Sequence, residues 1–181
     1  MHIIYLSGGS VRNKIWIEEI KSKFDKFSDG QILYYSHWET GEKNLNFEIE
    51  TKKLSELVAG KDEYFVFAKS IGSILALKSI YEKVISPKKM VICGHPYNLA
   101  KELGFPIDDY LKSLTISTIF FQNEFDPLFS YADLEKVLGE NIASDYHLIK
   151  NPDNNTHDYE DFEKLTEVAN KSFTAMQPPI V

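Results

Sequence analysis

The sequence predicts a three-layer α/β/α sandwich: a mostly parallel sheet of about six strands with helices on both faces. Three observations predict it. Short apolar runs alternate with longer amphipathic ones along the chain. Several of the short runs are apolar throughout, as strands buried on both faces are. The longer segments repeat apolar residues at i, i+3, i+4 and i+7, which lays one stripe of each helix on a sheet.

The elements follow in order. His2–Leu6 reads as the first strand, and Trp16, Ile20, Phe24 and Phe27 stripe the first helix. Gln31–Ser36 reads as the second strand, before a helix marked by Phe47, Leu54, Leu57 and Val58. Tyr64–Ala68 runs straight into a helix carrying Ile74, Leu77, Tyr81 and Val84. Lys89–Cys93 is the fourth strand and Ser117–Phe121 the fifth. A helix with Tyr131, Leu134, Val137 and Leu138 precedes the sixth, Tyr146–Lys150. Phe162, Leu165, Val168 and Phe173 stripe the last helix. Residues 94–114 break the rhythm with Gly94, Pro96, Gly104 and Pro106, and are expected to form a pocket wall or small lid. Residues 1–181 together read as one domain, since chains of this size usually form one.

Composition narrows the function. The net charge of −7 disfavours a nucleic acid or anionic membrane as partner, because both need clustered Lys and Arg. One cysteine, Cys93, excludes an internal disulfide framework. Met1–Leu6 lacks the basic lead-in and long apolar run of a signal peptide, and no apolar stretch is long enough to span a bilayer. A cytoplasmic location is therefore expected. No H-E-x-x-H or clustered His/Cys spacing calls for a metal, and no cofactor is expected.

The most informative stretch joins the third strand to its helix: Ala68-Lys-Ser-Ile-Gly. Ser70 stands at the join with almost no loop around it. A turn this sharp lifts the hydroxyl above the sheet and crowds the backbone two residues to either side, where Ala68 and Gly72 are small. That is the pattern of a nucleophile elbow, G-x-S-x-G, with Ala in place of the first Gly. The plainer reading makes Ser70 only the N-cap of a buried helix.

A serine hydroxyl becomes a nucleophile when a histidine takes its proton and a carboxylate orients that histidine. After the fifth strand comes Gln122-Asn-Glu-Phe-Asp-Pro, which puts Asp126 at the C-terminal rim of the sheet. After the sixth comes Asn155-Thr-His-Asp, which puts His157 on the same rim. The chain order serine, acid, histidine suits an α/β sheet of this kind. Glu124 is a substitute for Asp126, with Asp108 and Asp109 further candidates. Lys69 neighbours Ser70 but points to the opposite face of its strand, so no Ser–Lys pair is expected. Cys93 and His95 read as a buried thiol beside an unrelated histidine rather than as a Cys–His pair. His37, Trp38, His95, Pro96 and Tyr97 follow strand ends and are candidates to line the cleft.

From Ile3 to about Phe173 the chain resembles the α/β-hydrolase superfamily, in a compact form without a large cap, through its elbow, Asn123–Pro127 acid loop and Asn155–Asp158 histidine loop. The resemblance implies a serine hydrolase acting on a small-molecule ester, thioester or amide with Ser70, His157 and Asp126. It also implies an oxyanion hole built from the backbone amide of Ile71 and that of Gly9 or Ser10, in the Ser7–Ser10 loop. Two alternatives stand beside it: a binding protein that keeps the fold without turnover, and a flavodoxin-like or nucleotide-binding protein that uses Ser7-Gly-Gly-Ser-Val-Arg for phosphate.

Overall fold

The computed structural model describes residues 1–26, 28–142 and 145–174. Phe27, expected on the first helix, lies outside the described residues. The strands are β1 (His2–Leu6), β2 (Asp29–Ile32), β3 (Phe65–Lys69), β4 (Lys89–Cys93), β5 (Thr118–Asn123) and β6 (Tyr146–Asn151). They form one sheet in the order β2-β1-β3-β4-β5-β6, and every pairing is parallel.

Alternation along the inner strands makes two cores. Ile4, Leu6, Val66, Ala68, Met90, Ile92 and Phe120 face one side. Ile3, Tyr5, Phe67, Val91, Cys93 and Phe121 face the other. Because successive side chains on a strand point oppositely, a strand buried on both faces is apolar at successive positions, as Ile3–Leu6, Phe65–Ala68, Met90–Cys93 and Ile119–Phe121 are. The first core is covered by α3 (Phe47–Val58), α4 (Ile71–Tyr81), α6 (Ile107–Lys112) and α7 (Tyr131–Asn141). The second is covered by α1 (Arg12–Phe24) and α8 (Phe162–Thr174), through Trp16, Ile17, Ile20, Phe24, Leu165, Ala169 and Phe173. Burying each such side chain contributes about 1.5–3 kcal/mol before entropy is counted. Helix α4 departs from the single stripe expected of it: Gly72 to Ser79 are all buried, so the segment behind Ser70 is held from every side.

Strands β3 and β6 shift by one residue at their ends, and larger differences from the sequence reading fall at β2, α4 and β5. The second strand covers Asp29–Ile32 rather than Gln31–Ser36. Among the described residues it is the sheet's edge and pairs with β1, where Gly30 lies so close that a Cβ would stand 2.4 Å from the Ile3 carbonyl oxygen. Leu33 and Tyr35, which look like strand residues, are instead buried in the loop that leaves it. Helix α4 stops before Val84, because Lys83 takes a positive φ of 60°. Strand β5 runs on through Gln122 and Asn123, which pair with Lys150 and Asn151. Two short helices lie within residues 94–114, α5 (Tyr97–Glu102) and α6, and a further one, α2 (His37–Thr40), follows β2.

The strand order sets the place of the site. The chain leaves β1 for β2 on one side and returns to β3 on the other, so the loops after β1 and β3 diverge across a crevice. Open parallel sheets bind their ligands at such a switch point, outside the carboxyl ends of the strands.

Candidate active site

Ser70 sits at that crevice with φ 51° and ψ −126°. A non-glycine residue there carries strain of about 1–3 kcal/mol, which persists only where the surroundings impose it. They do so here. The Ser70 amide donates to the Cys93 carbonyl at 3.0 Å, extending the β3–β4 ladder into the turn. On the far side, Gly72 touches the end of β1; a Cβ on it would lie 2.6 Å from the Ser7 carbonyl oxygen. The Ser70 side chain makes no capping bond to the helix, which removes the plain N-cap reading.

The hydroxyl instead lies 2.8 Å from His157 Nε2. The other ring nitrogen, Nδ1, lies 2.8 Å from Asp126 Oδ2 and 3.0 Å from Oδ1. Ser70, His157 and Asp126 are thus brought together from the ends of β3, β6 and β5. Carboxylates accept, so Nδ1 carries the proton and Nε2 presents its lone pair to the serine hydroxyl. Asp126 is almost wholly buried, and its oxygens are further occupied by the Leu128 amide at 2.9 Å and the Tyr159 hydroxyl at 2.7 Å.

Tyr159 is a residue the sequence did not reveal. It has a positive φ of 57° and accepts a hydrogen bond from the Asn123 amide at 2.9 Å while donating to Asp126. Its ring stands edge-on to His157, with centroids 5.7 Å apart. Burial, with Cys93 and Asp126 nearby, pushes the phenol far above its ordinary range, so it remains a donor. Gly94 makes room for this pair: with φ 65°, a Cβ on it would come within 2.5 Å of the Tyr159 ring and 3.1 Å of His157 Cε1. Tyr159→Phe should lower stability by about 1–3 kcal/mol in urea unfolding, because it strands the Asn123 amide and removes a donor from Asp126. A variant as stable as wild type would show that the hydroxyl holds nothing.

The loop after β1 completes the rim. Gly9 abuts Ile71, with a Cβ on it 3.4 Å from Ile71 Cγ2. Its carbonyl accepts from His37 Nε2 at 2.6 Å and from Trp38 Nε1 at 2.9 Å, so these two rings fasten the loop from below. Ser10 lies exposed beyond it and accepts the Asn13 amide. Ile71 opens α4 and has no preceding turn to accept its N–H.

The remaining candidates are engaged elsewhere. Glu124 accepts from Lys150 and from the Asp153 amide. Asp108 accepts from Tyr97 and pairs with Lys101 on the helices after β4, and Asp109 is exposed. Lys69 lies on the opposite face, as its strand position requires. It donates to Asn13 Oδ1 and the Asp158 carbonyl and stands 4.4 Å over the Trp16 ring, joining the first turns of α1 to the histidine loop. Cys93 is buried without a disulfide, and burial pushes its thiol up. His95 does not line the cleft; it is fully buried against Ser73. Among the described residues no helix is long and apolar enough to cross a membrane.

No family model matches the sequence, and no curated protein matches it either. Solved structures do. Dienelactone hydrolase from Anabaena variabilis superposes with a TM-score of 0.72 at 16% identity, over 96% of this chain and 85% of that one. Est1E from Butyrivibrio proteoclasticus, solved with ferulic acid bound, gives 0.73 at 9%, over 95% and 87%. ClbQ from the colibactin NRPS/PKS pathway gives 0.67 at 15%, over 96% of both chains. With identities this low the likeness is one of architecture, and it agrees with the strand order and the elbow: this chain has the α/β-hydrolase fold.

Proposed function

We propose that this protein is a serine hydrolase that cleaves a carboxylic ester, or a related thioester or amide, through an acyl-enzyme on Ser70. The observation that carries the reading is the unbroken line of short contacts, Ser70 Oγ to His157 Nε2 and His157 Nδ1 to Asp126, starting from a serine held in a strained backbone. A structural cap has no use for that line. The fold neighbours support the same class: one is a dienelactone hydrolase, another the type II thioesterase BorB.

In the proposed reaction the Ser70 oxygen attacks the carbonyl carbon while its proton passes to His157 Nε2. The π pair moves onto the carbonyl oxygen, which accepts from the Ile71 amide and from the amide of Gly9 or Ser10. The tetrahedral intermediate collapses, and the leaving group departs with the proton from His157. Water then attacks the acyl group with His157 as base, releasing the acid and restoring the serine. Asp126 holds the imidazole in the required tautomer and stabilises its charged form. Losing one oxyanion donor typically costs about 2.7–4 kcal/mol of transition-state stabilisation. The proposed substrates are small acyl compounds.

An alkyl fluorophosphonate carrying a fluorescent tag tests it. Wild type should be labelled at Ser70, found by peptide mass mapping, and Ser70→Ala should not. Equal labelling of the two proteins, or none of wild type together with no cleavage of nitrophenyl esters and thioesters, would leave a binding protein on a hydrolase fold.

A further inference from the structure

We propose that His95, acting through Ser73, aims and polarises the Ile71 amide, and that both are positioning residues for the oxyanion hole. The inference rests on the reading of Ser70 as a nucleophile and names a buried part of its machinery.

The geometry leads there in three steps. The carbonyl oxygen of Ser70 accepts two hydrogen bonds, from the Ser73 amide at 2.8 Å and from the Ser73 hydroxyl at 2.6 Å. That carbonyl and the Ile71 N–H belong to one planar trans peptide, so they point in opposite directions. Holding the oxygen inside α4 therefore turns the N–H outward, away from the helix and over the crevice. A carbonyl that accepts two bonds also makes its own N–H a stronger donor, since hydrogen bonds in a chain polarise one another.

The second step is His95. Its Nδ1 lies 2.8 Å from the Ser73 hydroxyl oxygen, and no part of the residue is exposed. Ser73 has a single proton and spends it on the Ser70 carbonyl, so Nδ1 must be the donor in the His95 pair. Nε2 then has no partner among the described residues. In the opposite tautomer Nε2 would carry a buried N–H with nothing to accept it, and the Ser73 hydroxyl would leave Ser70. Burial pushes the imidazole down to about 3, so it stays neutral and keeps this one-proton arrangement. The chain of donation runs one way, from His95 to Ser73 to Ser70.

The third step fixes the ring itself. The His95 amide donates to Gln122 Oε1 at 2.9 Å, and Gln122 Nε2 donates to the Phe129 carbonyl at 2.6 Å. The same buried glutamine thus anchors His95 and the loop that carries Asp126. A packing role alone would be met by an apolar ring. An imidazole with one nitrogen left unsatisfied is explained by what its other nitrogen does.

The test compares Ser73→Ala, His95→Leu, His95→Asn and the double variant Ser73→Ala/His95→Leu with wild type. Fluorophosphonate inactivation of Ser70 is followed as a second-order rate, and p-nitrophenyl acetate gives kcat and KM. Ser73→Ala and His95→Leu should each react about tenfold more slowly, the worth of one hydrogen bond in the transition state. The loss should fall on kcat, with KM within about twofold, because the donor acts on charge formed in the transition state. The double variant should be no slower than Ser73→Ala, since the histidine works only through that hydroxyl. Asparagine carries an N–H at the position of Nδ1, so His95→Asn should recover to within about threefold of wild type. A wild-type rate in His95→Leu, or losses that multiply in the double variant, would overturn the proposal. The Ile71 amide resonance decides it without turnover: it should shift in Ser73→Ala and in His95→Leu and return in His95→Asn. An unmoved resonance overturns the relay even in a reactive enzyme. An unreactive wild type whose resonance moves as described overturns the hydrolase reading and upholds the relay.

Discussion

The double variant Ser70→Ala/His157→Ala should hydrolyse p-nitrophenyl acetate no more slowly than either single variant, and each single variant should lose about 10⁴- to 10⁶-fold in kcat. In the proposed mechanism nucleophile and base are one device. With Ser70 gone, His157 has no proton to take at 2.8 Å. With His157 gone, the serine keeps its proton and the carbonyl meets a neutral alcohol. Whichever is removed first takes nearly the whole effect, leaving the contribution of the oxyanion donors and of substrate binding. KM should change little, because neither side chain gains its interaction before the transition state. The measurement is a kcat–KM series on purified variants whose unfolding midpoints match wild type. Multiplying losses would mean the two groups serve separate functions. A His157→Ala variant retaining a tenth of the wild-type rate would remove the histidine from the reaction.

That three remote loops meet at one sheet edge was legible in the sequence, because strand rhythm alone fixes which loops lie at the carboxyl ends. Ser70, Asp126 and His157 each follow a strand whose apolar run was plain to read. The helix–sheet layering was legible for the same reason, and the edge strand shifted furthest from its expected place. Leu33 and Tyr35 have strand-like character, yet they are buried by loop packing at a position where the sheet gives pairing on one side only. The supporting residues were not legible. Tyr159 reaches Asp126 from 33 positions away, and nothing about an isolated tyrosine announces such a contact. Ser73 and His95 look like a helix serine and a residue after a strand, and their hydrogen bond exists only because β3 and β4 are neighbours. Gln122 and Asn123 end the apolar run that marks β5, so on polarity alone they resemble loop. They are nonetheless buried, and their amides bind the acid and histidine loops. Apolar periodicity reports burial against a layer; it is silent on polar groups that are buried because they are paired.

Gly72→Ala should be a strongly damaging single methyl at the site. The new Cβ would stand 2.6 Å from the Ser7 carbonyl oxygen and 2.8 Å from both the carbonyl carbon and oxygen of Leu6. All three are backbone atoms of a central strand and the loop after it, so no side chain can swing aside. Either α4 retreats and takes Ser70 from His157, or the end of β1 retreats and takes the Gly9 loop from the crevice. Overpacking of this kind costs about 1–3 kcal/mol, and here the displaced atoms are those that must hold the reacting geometry. We expect a lower midpoint in urea and a fall of about 10²-fold or more in reaction with fluorophosphonate. Ala68 is the control on the other side of the elbow. Its methyl already sits in the first core without exposure, so Ala68→Gly restores the more common elbow residue while removing only that packing and loosening the unfolded chain. It should lower stability by about 1 kcal/mol and leave the reaction rate of the folded protein near wild type. If Gly72→Ala were as stable and as reactive as wild type, the close approach of α4 to β1 would not be what positions Ser70.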